Sequence, residues 1–161
     1  MPNLPESLTS KIIPRSEVDS HEWRRPLVFT NGVFDVLHRG HVTYLATARE
    51  LGSSLLVGVN SDLSARGLGK GPGRPLNSEG DRLLLLAALE SVSCVTLFDE
   101  STPCELLAQC RPDIYVKGGD YDMETLAETR LVRGWGGRSV AIPFVAGYST
   151  TSLVRRIRGE S

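Results

Sequence analysis

Short apolar runs alternate along the chain with stretches of helical spacing. The runs Leu27–Phe29, Leu55–Val59 and Val92–Phe98 are largely continuous, which is typical of strands buried on both faces of a sheet. Two further strands are predicted over Asp113–Val116 and Ser139–Phe144. Strands of this kind, separated by helices, predict an α/β fold: a Rossmann-like, doubly wound sheet of about five parallel strands with helices on both faces.

The helices are indicated by apolar residues three or four positions apart and by residues that cap helix ends. Ser78 is a suitable N-cap, and Thr102 followed by Pro103 is typical of a helix start. Together these features predict helices over 41–51, 78–89, 102–110 and 150–158.

The first 25 residues differ from the rest of the chain. Residues 1–25 are polar and contain three prolines. We expect an N-terminal extension over 1–25 that covers a sheet edge or contacts a second subunit. The remaining residues, 26–161, are expected to form one domain, since a chain of 161 residues can bury one full core.

The charge balance limits the kinds of partner. The chain has 18 basic and 19 acidic residues and a formal net charge of -1, which favours neither nucleic acid nor an anionic membrane as partner. It also lacks the apolar run of a signal peptide and the ~20 apolar residues of a membrane span. The three cysteines have no C-x-x-C spacing, which indicates free thiols in a reducing compartment. We therefore expect a cytoplasmic protein.

The loop after the first predicted strand carries the most informative side chains. His38 and His41 lie three residues apart, with Gly40 between them at the start of a helix. Glycine lets a phosphate approach the backbone, the helix N-terminus offers free N–H groups, and imidazoles can donate to phosphate oxygens. Since ligands of parallel sheets bind beyond the carboxyl ends of the strands, the loop predicts a phosphate site.

Structural packing or a zinc pair would also account for two histidines at this spacing. A zinc site needs further ligands, but the only other histidine is His21 and the cysteines lie far along the chain. We therefore predict no metal site formed by the protein itself. A non-catalytic nucleotide-binding module is a further alternative, which the presence of both histidines disfavours.

Five segments strengthen the phosphate interpretation: TNGVFDVLHRGH, GVNSD, KGPGRPLN, VKGGDY and GYSTTSLVRRI. Their order resembles that of the cytidylyltransferase-like nucleotidyltransferases over nearly all of 27–157. H-x-G-H is the motif of that superfamily. VKGGDY together with the STT segment resembles the adenylyltransferase domain of the ADP-heptose synthesis enzymes of Gram-negative bacteria. Many relatives fuse this domain to a sugar kinase, and at its length the chain resembles the stand-alone form.

The resemblance implies an activity. It predicts that a D-glycero-β-D-manno-heptose 1-phosphate oxygen attacks the α-phosphorus of ATP, giving ADP-heptose for the lipopolysaccharide core and pyrophosphate. It further implies Mg²⁺ accompanying ATP, and a homodimer. The alternative within the class is a cytidylyltransferase acting on an alditol phosphate such as glycerol 3-phosphate.

The resemblance also implies roles for individual residues. Those implied in catalysis are His38, His41, Lys70 and Arg82. Those implied in nucleotide binding are Thr30, Asn31, Gly32, Phe34, Gly40, His41, Lys117, Gly118, Asp120, Ser149, Thr150 and Thr151. Those implied in sugar-phosphate binding are Asp35, Asn60, Lys70 and Arg74.

Simpler roles remain open for several of these residues. Arg82 could face solvent, Lys70 and Arg74 could belong to a solvated basic loop, and Asp35 could order its own loop or lie near the metal. The sequence departs from the family pattern at Val33, where many relatives have cysteine. One additional glycine near Lys70 leaves the alignment of that lysine open.

Overall fold

The computed structural model describes residues 3–160. The strands are β1 Leu27–Gly32, β2 Ser54–Asn60, β3 Cys94–Phe98, β4 Ile114–Gly118 and β5 Arg138–Ile142. They form a single sheet in the order β3-β2-β1-β4-β5, and every neighbouring pair is parallel. The predicted Rossmann-like α/β fold is confirmed.

The helices include the four that the sequence predicts and three that it does not. The predicted helices are α2 Arg39–Arg49, α4 Glu79–Ala87, α5 Cys104–Cys110 and α7 Thr150–Ile157. The others are α1 Glu6–Thr9, α3 Asp62–Gly67 and α6 Ala127–Arg133. None of the helices within 3–160 has the length and apolar character that crossing a membrane requires.

The two faces of the sheet are covered by different helices. Residues of α2 and α4 pack with Val28 and Val57 in one apolar cluster, whereas residues of α5 and α6 pack with Phe29 and Tyr115 in the other. The chain changes sides after β3, when it crosses to β4 on the far side of β1. Such a reversal opens a crevice at the carboxyl ends of the two strands beside it, here β1 and β4.

The N-terminal segment covers the exposed edge of β3. The Ile13 amide donates to the Val95 carbonyl at 2.9 Å, and the Val95 amide donates to the Lys11 carbonyl at 2.8 Å. Ile13 and Val18 are buried in the cluster that also contains Phe29. Residues 11–18 therefore share the core of the domain that was expected to begin at residue 26.

Candidate active site

A cleft of about 670 Å³ opens where β1 and β4 end. Its volume is within the range of small-molecule sites, roughly 300–1,000 Å³. It brings together fourteen of the residues that the sequence assigns to the site. They are Asn31, Gly32, Phe34, Asp35, His38, Gly40, His41, Lys70, Arg74, Lys117, Gly118, Ser149, Thr150 and Thr151.

His38 caps the helix on which His41 lies. Its Nδ1 accepts a hydrogen bond from the Gly40 amide at 3.1 Å, so a neutral ring carries its proton on Nε2. A Cβ on Gly40 would lie 2.9 Å from that Nδ1, and glycine is therefore needed for the close approach of the imidazole. Burial lowers the pKa of His38 below its ordinary value. The cap thus leaves Nε2–H as a donor.

His41 is held between two rings. It stacks on His38 with ring centroids 3.9 Å apart, and the Phe34 ring meets it edge-on at 5.4 Å. Phe34 has a left-handed φ of 51°, a costly conformation for a bulky residue that is typical of functional sites. Burial, followed by the charges of His38 and Lys70, lowers the pKa of His41 to about 4. Both histidines are therefore neutral donors near pH 7.

Asp35 holds the basic loop, which carries Lys70 and Arg74, against the cleft by hydrogen bonds. Its Oδ2 accepts from Arg74 Nε at 2.7 Å, and its Oδ1 accepts from the amides of Leu76 and Asn77 at 2.7 and 2.9 Å. Burial raises the pKa of Asp35, but these hydrogen bonds and the Arg74 charge outweigh it and lower the pKa overall. Asp35 is thereby placed to order the loop, one of the alternatives that the sequence left open.

Arg82 lies beneath the cleft. Its guanidinium is fully buried and donates to the carbonyls of Val33, Asn60 and Asn77 at 2.6–3.2 Å and to the Asp62 carboxylate at 2.8 Å. No phosphate can reach it in this arrangement. The structure gives Arg82 a structural position instead of the catalytic one expected, since a buried charge needs acceptors and finds them after β1, at the end of β2, on α3 and before α4.

Three other assigned residues lie outside the cleft lining. The Thr30 hydroxyl is buried and hydrogen-bonded to the Tyr44 hydroxyl at 2.5 Å. Asn60 is also buried, and its side-chain amide donates to the Ser64 hydroxyl at 2.9 Å. Asp120 is exposed and lies outside the cleft. Thr30 and Asn60 therefore support the floor of the site rather than face a ligand.

Four aromatic residues of the cleft are absent from the sequence assignment: Tyr44, Tyr121, Phe144 and Tyr148. Tyr121 and Phe144 follow β4 and β5, and Tyr148 precedes α7. For Tyr121, Phe144 and Tyr148, the position after a strand end is the sequence signal that could have identified them, because ligands of parallel sheets bind there. Tyr44 lies within α2 and carries no such signal.

Metal ligands are sparse in the cleft. Within the described part of the chain, no group of three or more His, Cys, Asp and Glu side chains could hold a metal ion. Both oxygens of the Asp35 carboxylate already accept hydrogen bonds from protein groups. Among the described residues, the cleft therefore offers no cluster of three such side chains around a common point.

Sequence comparisons identify close relatives. A model of the cytidylyltransferase-like family matches residues 29–156. The chain is 60% identical over 153 residues to the D-beta-D-heptose 1-phosphate adenylyltransferase of Bordetella bronchiseptica, covering 92% of this chain and 94% of that protein. It is 51% identical over 140 residues to the bifunctional protein HldE of Magnetococcus marinus, covering 87% of this chain but 28% of that protein.

Solved structures show the same fold. The lipopolysaccharide core biosynthesis protein from Thermoplasma volcanium is 30% identical, with a TM-score of 0.62 over 74% of this chain and 95% of that chain. Pantothenate synthetase from Thermus thermophilus is 18% identical, with a TM-score of 0.54 over 83% of this chain and 62% of that chain. At that identity the second likeness concerns the fold alone.

The structural role of Arg82 predicts a large loss of stability on its removal. Arg82→Met should lower the free energy of unfolding by about 3–5 kcal/mol, mainly because the carbonyls of Val33 and Asn60 lose their buried donor. Urea unfolding followed by circular dichroism measures the change. Arg66→Met, at an exposed position of α3, is the matched control and should stay within about 0.5 kcal/mol of wild type. Unchanged stability with reduced turnover in Arg82→Met would instead restore the catalytic role.

The low pKa of His41 predicts a pH dependence of stability. The pKa of His41 is about 4 in the folded protein, against an ordinary pKa of 6.5. Between these two pH values the unfolded chain therefore binds more protons than the folded protein. The stability contributed by the neutral ring is fully present above 6.5 and is lost as the pH falls towards 4. In His41→Gln the unfolding free energy should depend less steeply on pH over this window. The decrease in slope should be at most about 1.4 kcal/mol per pH unit, the value for one proton taken up on unfolding. Urea unfolding at several pH values tests this, and equal slopes would contradict it.

Proposed function

We propose that this chain, which belongs to the cytidylyltransferase-like family, is an adenylyltransferase that converts ATP and D-glycero-β-D-manno-heptose 1-phosphate into ADP-heptose and pyrophosphate. The observation that carries the proposal is the stacked pair His38 and His41 at the carboxyl end of β1, inside a cleft large enough for a nucleotide. The adenylyl group and the heptose are supported by the Bordetella bronchiseptica relative. ADP-heptose would serve the synthesis of the lipopolysaccharide core.

The chemistry requires alignment rather than a general base. A sugar-phosphate oxygen is already ionised near pH 7, because the second pKa of a phosphate ester is about 6. As that oxygen bonds to the α-phosphorus of ATP, the bond to the β-phosphate bridging oxygen breaks and its electrons leave with pyrophosphate. Negative charge then grows on the non-bridging oxygens. Donors placed at these oxygens lower the barrier.

The neutral histidines fit this requirement. His38 offers Nε2–H because its Nδ1 is occupied by the Gly40 amide, and stacking fixes His41 beside it. A neutral imidazole keeps one N–H, so each ring can donate to a phosphate oxygen without being protonated first. Lys70, Arg74 and Lys117 line the same cleft and would supply positive charge to the triphosphate and the sugar phosphate.

Mg²⁺ belongs to the proposal as part of the nucleotide substrate. The described residues do not form a cluster that could hold a metal, so the ion would arrive bound to the phosphates of ATP. From the family resemblance, the proposal also includes that the chain forms a homodimer. Light scattering after gel filtration would measure the molar mass in solution.

The substrate assignment predicts the outcome of a pyrophosphate-release assay. The purified chain should turn over ATP with the heptose 1-phosphate, and excess EDTA should stop the reaction. Each of ATP and CTP is assayed with the heptose 1-phosphate and with glycerol 3-phosphate. Turnover confined to CTP and glycerol 3-phosphate would identify the alternative cytidylyltransferase. Nucleotide binding without turnover in any combination would indicate a binding module.

The histidine assignment predicts a loss of turnover greater than the loss of binding. His38→Ala and His41→Ala should each lower kcat by roughly 10²–10³, as expected for donors that act in the transition state, while the Kd for ATP changes only a few-fold. His21→Ala is the matched control, because His21 lies in the N-terminal segment outside the cleft. Normal turnover in both motif variants would remove these histidines from the mechanism.

A further inference from the structure

The two glycines at the end of β4 are covered by an aromatic ring. A Cβ on Gly118 would lie 2.9 Å from Phe144 Cε1, and a Cβ on Gly119 would lie 2.9 Å from Phe144 Cε2. The Phe144 ring therefore spans both glycines and occupies the space that their missing side chains leave. The family resemblance implied that the nucleotide binds at Gly118, yet in the structure Phe144 rests there.

The Phe144 ring also lines the cleft. Phe144 is 71% exposed, so most of the side chain is accessible to a ligand. Tyr121 flanks the same glycines, 3.1 Å from the Cβ position of Gly119, and the Lys117 ammonium lies 4.4 Å from the centroid of the Tyr121 ring. The tip of the Phe144 ring therefore meets the two glycines, and most of the side chain remains open to the cleft.

The cleft offers both phosphate donors and an aromatic surface. His38, His41 and Lys70 line it together, and the charge of Lys70 acts on His41. Phe144 and Tyr121 line it beside the glycines that end β4. A nucleotide needs both kinds of contact, because it has a charged phosphate chain and a flat base.

Resting on the proposed function, we propose that the adenine ring of ATP stacks on the exposed face of Phe144, and that this contact gives the enzyme its preference for ATP over CTP. Phe144 has no polar side-chain atom, so it can select a base only by the area of contact. A purine has the larger flat surface and stacks more strongly than a pyrimidine does. Gly118 and Gly119 then leave room for the Phe144 ring to pack against the backbone, instead of contacting the base directly.

The first test separates the contribution of the base to ATP binding from that of the phosphates. Phe144→Ala should weaken ATP binding about 10–100-fold, because stacking of a base on an aromatic side chain is worth about 1–3 kcal/mol. Binding of inorganic tripolyphosphate, which has no base, should change less than about twofold. The ratio of kcat/KM for ATP to that for CTP should fall in Phe144→Ala and recover in Phe144→Trp.

A matched control removes a different exposed apolar side chain. Ile157 is 74% exposed, close to the value for Phe144, and lies at the far end of α7 from the cleft. Ile157→Ala should bind ATP and tripolyphosphate as the wild type does. Isothermal titration calorimetry measures both affinities. Unchanged ATP affinity in Phe144→Ala would overturn the proposal, as would an equal loss of ATP and tripolyphosphate binding.

The second test asks what Gly118 contacts. Gly118 has an ordinary backbone conformation, so alanine there is opposed mainly by Phe144 and, at 3.2 Å, by Tyr44 Cε2. If Gly118 seats the Phe144 ring, Gly118→Ala should weaken ATP binding in the wild type and have little further effect in Phe144→Ala. Losses that add in the double variant would show that Gly118 affects ATP binding independently of the Phe144 ring and would overturn its role as support for that ring.

Failure of this inference differs from failure of the proposed function. If the wild type turns over ATP and Phe144→Ala binds and turns over ATP equally well, the stacking role is refuted and the adenylyltransferase activity stands. ATP binding that depends on Phe144, without turnover of any sugar phosphate tested, would support stacking and refute the activity. A wild-type protein that binds no ATP would refute both.

Discussion

The site depends on one buried cation. The Arg82 guanidinium has no access to water, and its hydrogen bonds tie together the loop after β1, the end of β2 and the start of α4. A lost acceptor would leave buried charge without a partner, which is far more costly than losing an exposed hydrogen bond. The backbone at Val33 is therefore held firmly, and the loop that continues to His38 begins from a fixed position. Asp35 extends this support to the basic loop through Arg74 and two backbone amides.

The electrostatics of the cleft differ from those of the whole chain. The formal net charge is -1, yet Lys70, Arg74 and Lys117 line the cleft, and the carboxylate of Asp35 is engaged by Arg74. A focused positive field attracts a polyphosphate whatever the total charge. The histidines add directed hydrogen bonds rather than charge, because burial keeps His41 neutral. The positive electrostatic field and the directed hydrogen bonds are thus supplied by different residues.

Much of the fold could be predicted because burial on both faces makes a strand continuously apolar. Leu55–Val59 has that character and lies within β2. Helices α3 and α6 were missed for the opposite reason, since their inward faces are not distinctly apolar. In α3 the buried residues are Ser64 and Ala65 while Leu63 is 72% exposed, and in α6 Glu128 and Thr129 are buried with Val132. Apolar periodicity cannot identify a helix that buries polar side chains and exposes a leucine.

The same reasoning separates the site residues that the sequence could predict from those that it could not. His38, Gly40 and His41 lie within four positions of one another, so their spacing, together with their position after the first predicted strand, indicates a phosphate site. The partners of Arg82 are mainly backbone carbonyls, which no residue type reveals, and a charged residue on an apolar helix is equally consistent with solvent or ligand. Phe144 lies 26 positions beyond Gly118, and only the pairing of β4 with β5 brings the ring over the glycine. A glycine in a sequence shows that something approaches the backbone closely. Whether that is a ligand or another side chain is decided by the strands that pair beside it.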